Sequence, residues 1–286
     1  MLAKILLLLS IMIASLCASV TYSVSNEKVA NAQTMLFELE SDASFSKAYV
    51  AYLGVRYPFY QHPSKDSVHY ALVPTGYYVK PKKKNAVIVT IVDGEKHYIS
   101  VPIMIVKGKY KSERLKVVSS RATISKKNRA RIKSENSEAK KIYNTFTKTS
   151  YISEPFLKPM ESKITSAFGT KRVFNGVLKS YHSGTDFRAA VGTSLMAANA
   201  GKVVLVKNRF FAGNSVIIDH GQGIYTGYYH MSKFKVKKGD MVERGEVIGL
   251  AGATGRVTGP HLHFAVHVGG VGVDPMQFLE TVNALY

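Results

Sequence analysis

From Ile164 onward, short runs of apolar and β-branched residues are interrupted repeatedly by glycine, among them Gly169, Gly184, Gly201, Gly213, Gly221 and Gly223. Segments punctuated this closely leave no room for helices of ordinary length, whereas strands of four to eight residues fit between the turns. The pattern predicts a compact antiparallel β domain that stays free of helix until its last residues.

The preceding region is also β-rich. Between Met35 and Val118 the clearest strand is Ala86–Val92, rich in valine and isoleucine. It is followed by Asp93-Gly94 and a return segment, Glu95 to Val101. Two strand-like runs around Asp-Gly predict a hairpin. The basic run Lys82-Lys83-Lys84 ahead of it reads as a solvated loop. Ser125 is placed as the N-cap of a mostly polar helix from about Lys126 to Phe146, whose packing residues would be Ala130, Ile132, Ala139, Ile142 and Tyr143. So polar a helix suits a connector between domains. Pro155-Phe156-Leu157-Lys158-Pro159 then opens a new unit. The expected organisation is a leader at 1–18, a β-rich accessory domain at 19–124, a connecting helix at 125–150 and a compact β domain at 151–286, so the chain as a whole is mainly β.

Met1-Leu2-Ala3-Lys4 followed by apolar Ile5–Ala18 resembles a signal peptide, too short for an ordinary membrane span. Whether it is cleaved near Ala18 or kept as an N-terminal anchor, the rest of the chain is expected to be exported, with the periplasm as its compartment. Cys17 is the single cysteine, and with Leu16 before it lipid attachment is disfavoured. Cleavage after Ala18 would leave no thiol. The net charge is +20, with residues 19–150 holding 23 basic and 10 acidic side chains and residues 151–286 holding 15 and 9. An exported basic protein suits a polyanionic wall or membrane surface, and export argues against nucleic acid as partner.

The chemistry is carried by histidine. His62, His69 and His97 lie in the first half without ligand-like neighbours and read as structural or surface residues. In His261-Leu262-His263-Phe264-Ala265-Val266-His267, strand alternation puts His261 and His263 on one face, roughly 7 Å apart, and Leu262, Phe264 and Val266 on the other. His182-Ser183-Gly184-Thr185-Asp186 reads as a turn into a strand, with His and Asp close enough to share one ion. Neither motif is specific alone. Together they offer His, Asp and His, a nitrogen and oxygen set suited to zinc, in which three protein ligands leave a fourth position open for water. Bound zinc acidifies that water to a pKa of about 7 and polarises a carbonyl. A neutral histidine can then take the proton, with His230 and His261 as candidates.

With these residues assembled, 157–279 resemble the catalytic domain of the lysostaphin/LytM-type zinc metallopeptidases. The matching stretches are Ile164–Gly169, His182–Phe187, Ile218–Gly223, Tyr229–Ser232, Gly239–Val242 and Gly252–Gly255 continuing through Gly259–His263. The resemblance implies one zinc held by His182, Asp186 and His263. It also implies that His230 and His261 act as base and transition-state stabiliser, in an order it does not fix, and that His220 and His267 are structural. The implied activity is hydrolysis of peptide cross-links in peptidoglycan: endopeptidase action at D-Ala–diaminopimelate bonds with accompanying carboxypeptidase action, serving wall remodelling and cell shape. The first half resembles, less sharply, accessory domains of Gram-negative members, so residues 19–150 are expected to restrain activity, with passive wall binding as the other reading. Two non-enzymes compete. One is a metal-free activator of a wall amidase, a role associated with loss of ligands, none of which is lost here. The other is a biotinyl- or lipoyl-type carrier barrel, for which no modifiable lysine tip is present.

Overall fold

The computed structural model describes residues 20–42, 44–115, 125–174 and 177–286. The leader segment and Cys17 lie outside them. The chain is mainly β, as expected, and divides into two compact units, 1–108 with 280–286, and 109–279. No helix among the described residues is long and apolar enough to cross a membrane.

The first unit contains β1 (Val20–Val24), β2 (Lys28–Ala30), β3 (Thr34–Ser41), β4 (Lys47–Tyr52), β5 (Val55–Pro58), β6 (Tyr60–Gln61), β7 (Val68–Pro74), β8 (Lys82–Val92) and β9 (Glu95–Val106). They form two sheets, β1-β3-β7-β6 and β2-β9-β8-β4-β5, with all pairs antiparallel except β2 with β9. Their core is built from alternating side chains such as Phe37, Leu39, Val50, Val73, Ile88 and Ile103. The Asp-Gly hairpin forms as its sequence predicts: Asp93 and Gly94 both take the left-handed backbone (φ 50° and 84°) that a tight two-residue turn requires. Lys82–Lys84 differ from the expected loop. They are the exposed first residues of β8, paired with Ile103–Ile105, because β9 runs on to Val106 and offers its backbone to them.

The second unit holds β10 (Ser112–Leu115), α1 (Lys126–Tyr143), β11 (Ile164–Ser166), β12 (Lys171–Phe174), β13 (Val177–Tyr181), β14 (Thr185–Arg188), β15 (Ser194–Met196), β16 (Gly201–Arg209), β17 (Gly213–Asp219), β18 (Ile224–Met231), β19 (Lys233–Phe234), β20 (Met241–Val242), β21 (Val247–Leu250), β22 (His261–Val268) and β23 (Val271–Val273). The terminal helix α2 (Pro275–Val282) follows. The main sheet runs β11-β14-β22-β18-β17-β16-β20, with β23 on β22, and every pair is antiparallel. One face contributes fully buried Phe187, Val216, Ile218, Tyr228, Leu262, Phe264 and Val266. At about 25 cal/mol per Å2 of apolar surface removed from water, side chains of this size are each worth roughly 1.5–3 kcal/mol. Strand alternation sends the intervening residues, including His263 and Asp186, to the opposite face.

Helix α1 starts where its cap predicts: Ser125 Oγ accepts from the backbone N of Asn128 at 3.2 Å. It ends at Tyr143, three residues short of the expected end. The chain beyond it leaves the helix to pair with the sheet turn, Gln222 N donating to Thr147 O and Tyr151 N to His220 O. Ala139 and Tyr143 are buried against Leu205, Ile217 and Tyr225, so this polar helix is seated on the main sheet of the second unit.

Candidate metal centre

Register places the three expected ligands together. Asp186 on β14 pairs directly with His263 on β22, and directly opposed residues share a face. His182 precedes β14 and turns its ring inward, where it is buried. His182 Nε2 lies 2.9 Å from Asp186 Oδ1 and 3.0 Å from His263 Nδ1, and His263 Nδ1 lies 2.8 Å from Asp186 Oδ1.

The chemistry of this triangle follows from its outer contacts. His182 Nδ1 is 3.0 Å from the carbonyl of Ala167, which can only accept, so Nδ1 carries the proton and Nε2 turns a lone pair inward. The Asp186 carboxylate offers a further lone pair. Burial alone would raise the Asp186 pKa, but the close approach of the His182 and His263 rings outweighs it and holds the group below the ordinary carboxylate range. Burial also lowers His263 from its usual value, favouring the neutral ligand form. Three electron-pair donors converging within 3 Å of one another fit a cation. Among the described residues this is the one His/Cys/Asp/Glu trio so arranged.

Gly184 makes the arrangement sterically possible. A Cβ there would lie 2.5 Å from His263 Nε2 and 2.5 Å from the Phe264 carbonyl, so the ring occupies space a side chain would need.

His230 and His261 flank the triangle. Their ring centroids are 4.8 Å apart, and His230 is 6.0 Å from the His263 ring. His261 Nε2 is 3.8 Å from Asp186 Oδ1. His230 Nδ1 donates to Thr254 O at 2.9 Å, and His261 Nδ1 donates to Gly259 O at 2.8 Å. Each therefore keeps Nε2 as an available lone pair. Burial pushes His230 down to about 4.

His230 takes a left-handed backbone (φ 61°), uncommon outside glycine, and its N–H donates to Ala212 O at 2.9 Å. This breaks the strand alternation of β18. Consequently both neighbours, Tyr229 and His230, bring their rings to His263, Tyr229 at 5.4 Å. The motif reading placed Tyr229 and Thr254 within matching stretches but gave neither a role. Tyr229 stands opposite His263 in the ladder, which a register assignment could have shown. The contact from Thr254 is long-range and leaves no sequence signature.

The remaining histidines lie elsewhere. His220 is fully buried, its Nδ1 donating to Ala200 O and its Nε2 accepting from Thr226 Oγ1, both at 2.7 Å. His267 stacks on Tyr143 at 3.6 Å. His62 is buried beside Glu38, and His97 is exposed on β9.

The profile of peptidase family M23 matches residues 180–275. Peptidoglycan DD-endopeptidase ShyA of Vibrio cholerae is 46% identical over 123 residues, covering 42% of this chain and 28% of ShyA. The DD-carboxypeptidase/endopeptidase Mpg of Neisseria meningitidis is 38% identical over 118 residues, 41% of this chain and 27% of Mpg. The matches thus span under a third of the length of these curated relatives. A solved Pseudomonas aeruginosa structure assigned to the same peptidase family superposes with a TM-score of 0.67 at 27% identity, over 86% of this chain and 93% of the other. Residues 180–275, the segment that builds the centre, match the model of peptidase family M23 and form a domain of that family.

Proposed function

We propose that this chain is an exported, zinc-dependent peptidase of bacterial peptidoglycan, acting on D-Ala–diaminopimelate cross-links with accompanying carboxypeptidase action on uncross-linked stems. The observation that carries the reading is the convergence of His182 Nε2, Asp186 Oδ1 and His263 Nδ1 within 3 Å of one another, beside two histidines with a free Nε2. The relatives' names, DD-endopeptidase and DD-carboxypeptidase/endopeptidase, support the substrate class. The leader-like first 18 residues support export to the periplasm.

In this reading His182, Asp186 and His263 hold one zinc. When bound, zinc supplies Lewis-acid polarisation of the scissile carbonyl and acidifies water at its open position. The protein's own residues provide the rest. The Ala167 carbonyl fixes the His182 tautomer, as outer-shell partners of metal ligands commonly do. Of His230 and His261, one takes the proton of the attacking water at Nε2 and returns it to the leaving amine. The other stabilises the oxygen on which negative charge develops, donating from Nε2 in its protonated form, since Nδ1–H is already committed to a backbone carbonyl. Thr254 O and Gly259 O hold both rings with Nε2 directed away from the backbone, so little reorientation is needed as charge moves.

The test is digestion of defined cross-linked dimers and uncross-linked pentapeptide stems, with products identified by mass spectrometry and metal content measured on the same preparation. One zinc per chain and release of monomers from dimers is the expected result. A folded chain that binds no metal and leaves both substrates intact overturns the proposal.

A further inference from the structure

We propose that helix α1, which lies outside the family-matched segment 180–275, positions the metal centre through two separate contacts. Tyr143 holds Tyr229 against the ligand His263, and Glu135 holds the turn that fixes the backbone of His230.

The first contact lies on the ligand-bearing face of the sheet. There Tyr225 pairs with His267, Gly227 with Ala265 and Tyr229 with His263. Tyr143 lies across this row. Its ring stacks on His267 at 3.6 Å and 7°, meets Tyr225 edge-on at 5.8 Å, and its hydroxyl is 2.5 Å from the Tyr229 hydroxyl. Small residues at the centre of the row make the last bond possible, since a Cβ at Gly227 would lie 2.3 Å from the Tyr229 hydroxyl. Burial first, and then the neighbouring phenol, keep the Tyr143 hydroxyl protonated. Tyr229 is thereby held at both ends, by Tyr143 at its hydroxyl and by the strand at its backbone, with its ring against His263.

The second contact begins at Glu135, a carboxylate buried on a helix that is otherwise polar and solvated. Its two oxygens accept from Arg131 Nε at 2.7 Å and from the backbone N of Phe210 at 2.9 Å. The Glu135 carbonyl accepts from Arg209 Nη2, and Arg131 Nη2 reaches Asn208. Apart from the bond within the helix from Arg131 Nε, these bonds grip the end of β16 and the turn that leads from it to β17. Two residues on, Ala212 O accepts the N–H of left-handed His230, and Phe211 O accepts that of Arg256. Unpartnered buried charge is costly, so a carboxylate committed this way fixes its partners firmly.

The inference rests on the zinc reading above and divides the two contacts by what each should move. Zinc affinity, measured by competition with a chromogenic chelator, is read alongside kcat and KM at saturating zinc, all in the full chain. Tyr143→Phe removes one hydroxyl and keeps the stack. It should raise the zinc dissociation constant about 3–10-fold, and Tyr229→Phe should do the same, with no further loss in the double variant. Glu135→Gln keeps the shape but presents one acceptor to two donors. It should lower kcat about 3–10-fold with KM and zinc affinity within about twofold of the parent. Unchanged zinc affinity in both tyrosine variants, or equal losses in every readout that merely track a lower melting temperature, overturns the inference. A parent chain that binds no zinc in the same titration would instead overturn the zinc reading itself.

Discussion

Substituting Gly184 by alanine tests the metal centre without touching a ligand. The added Cβ would meet His263 Nε2 and the Phe264 carbonyl at 2.5 Å each, against 3.4–4 Å for ordinary contact, so about 0.9 Å must be found. Phe264 O cannot supply it, because Thr185 and Phe264 are ladder partners between β14 and β22. The imidazole must therefore swing, and its other nitrogen, Nδ1, is the proposed ligand atom. A shift of that size in a ligand should weaken zinc binding about 10–100-fold, equivalent to about 1.4–2.7 kcal/mol. Overpacking should cost a further 1–3 kcal/mol or so of stability. The assay is chelator-competition titration of zinc together with thermal unfolding. Gly259→Ala serves as control, because a Cβ there meets nothing within 4 Å. Parental zinc affinity and melting temperature in Gly184→Ala would refute the steric argument.

His182→Ala should abolish both zinc binding and cleavage, whereas His230→Ala should keep one zinc and lose cleavage by at least about 100-fold; metal analysis with turnover on cross-linked dimers checks both. His267 is half-buried with its ring stacked under Tyr143, and that desolvation pushes its pKa down to about 4, below the ordinary value near 6.5. The stability that this neutral ring contributes is fully present above about pH 6.5 and is lost as pH falls towards 4, because the unfolded chain takes the proton first. His267→Phe, which keeps a ring against Tyr143, should lessen the drop in unfolding free energy between pH 6.5 and 5 by about 1.5–2 kcal/mol in metal-free protein, measured by urea denaturation. If residues 19–124 restrain activity, a chain beginning at residue 125 should hydrolyse purified wall faster than the mature chain; equal rates would end that idea.

The elements that were legible in sequence are those whose determinants are local. Glycine spacing announced the short strands of the second unit, Asp93-Gly94 announced the left-handed turn, and Ser125 announced the start of α1. The alternation of His261 to His267 gave the two faces of β22, one now seen buried through Leu262, Phe264 and Val266. What escaped is set by partners far along the chain. Lys82–Lys84 form strand because β9 continues opposite them, which their own charge does not reveal. Of the α1 residues expected to pack, Ala139 and Tyr143 are buried, but nothing local marks the carboxylate of Glu135 as buried beside them. His230 looks like an ordinary strand residue until Ala212, 18 positions earlier, is seen to hold its backbone in the left-handed region.

These two classes of determinant meet on one sheet. The core face of β14, β22 and β18 is filled by large side chains and tolerates few alternatives at native packing density. The other face carries the centre, and its middle is kept small by Gly227 and Ala265, facing each other between the pairs Tyr225–His267 and Tyr229–His263. A larger pair there would block the Tyr229 hydroxyl from reaching Tyr143 and lift the helix from the sheet. Smallness at these positions is therefore part of how the ligand set is braced, although neither residue has a functional group. The geometry of the centre depends as much on what Gly184, Gly227 and Ala265 leave out as on the donors that His182, Asp186 and His263 supply.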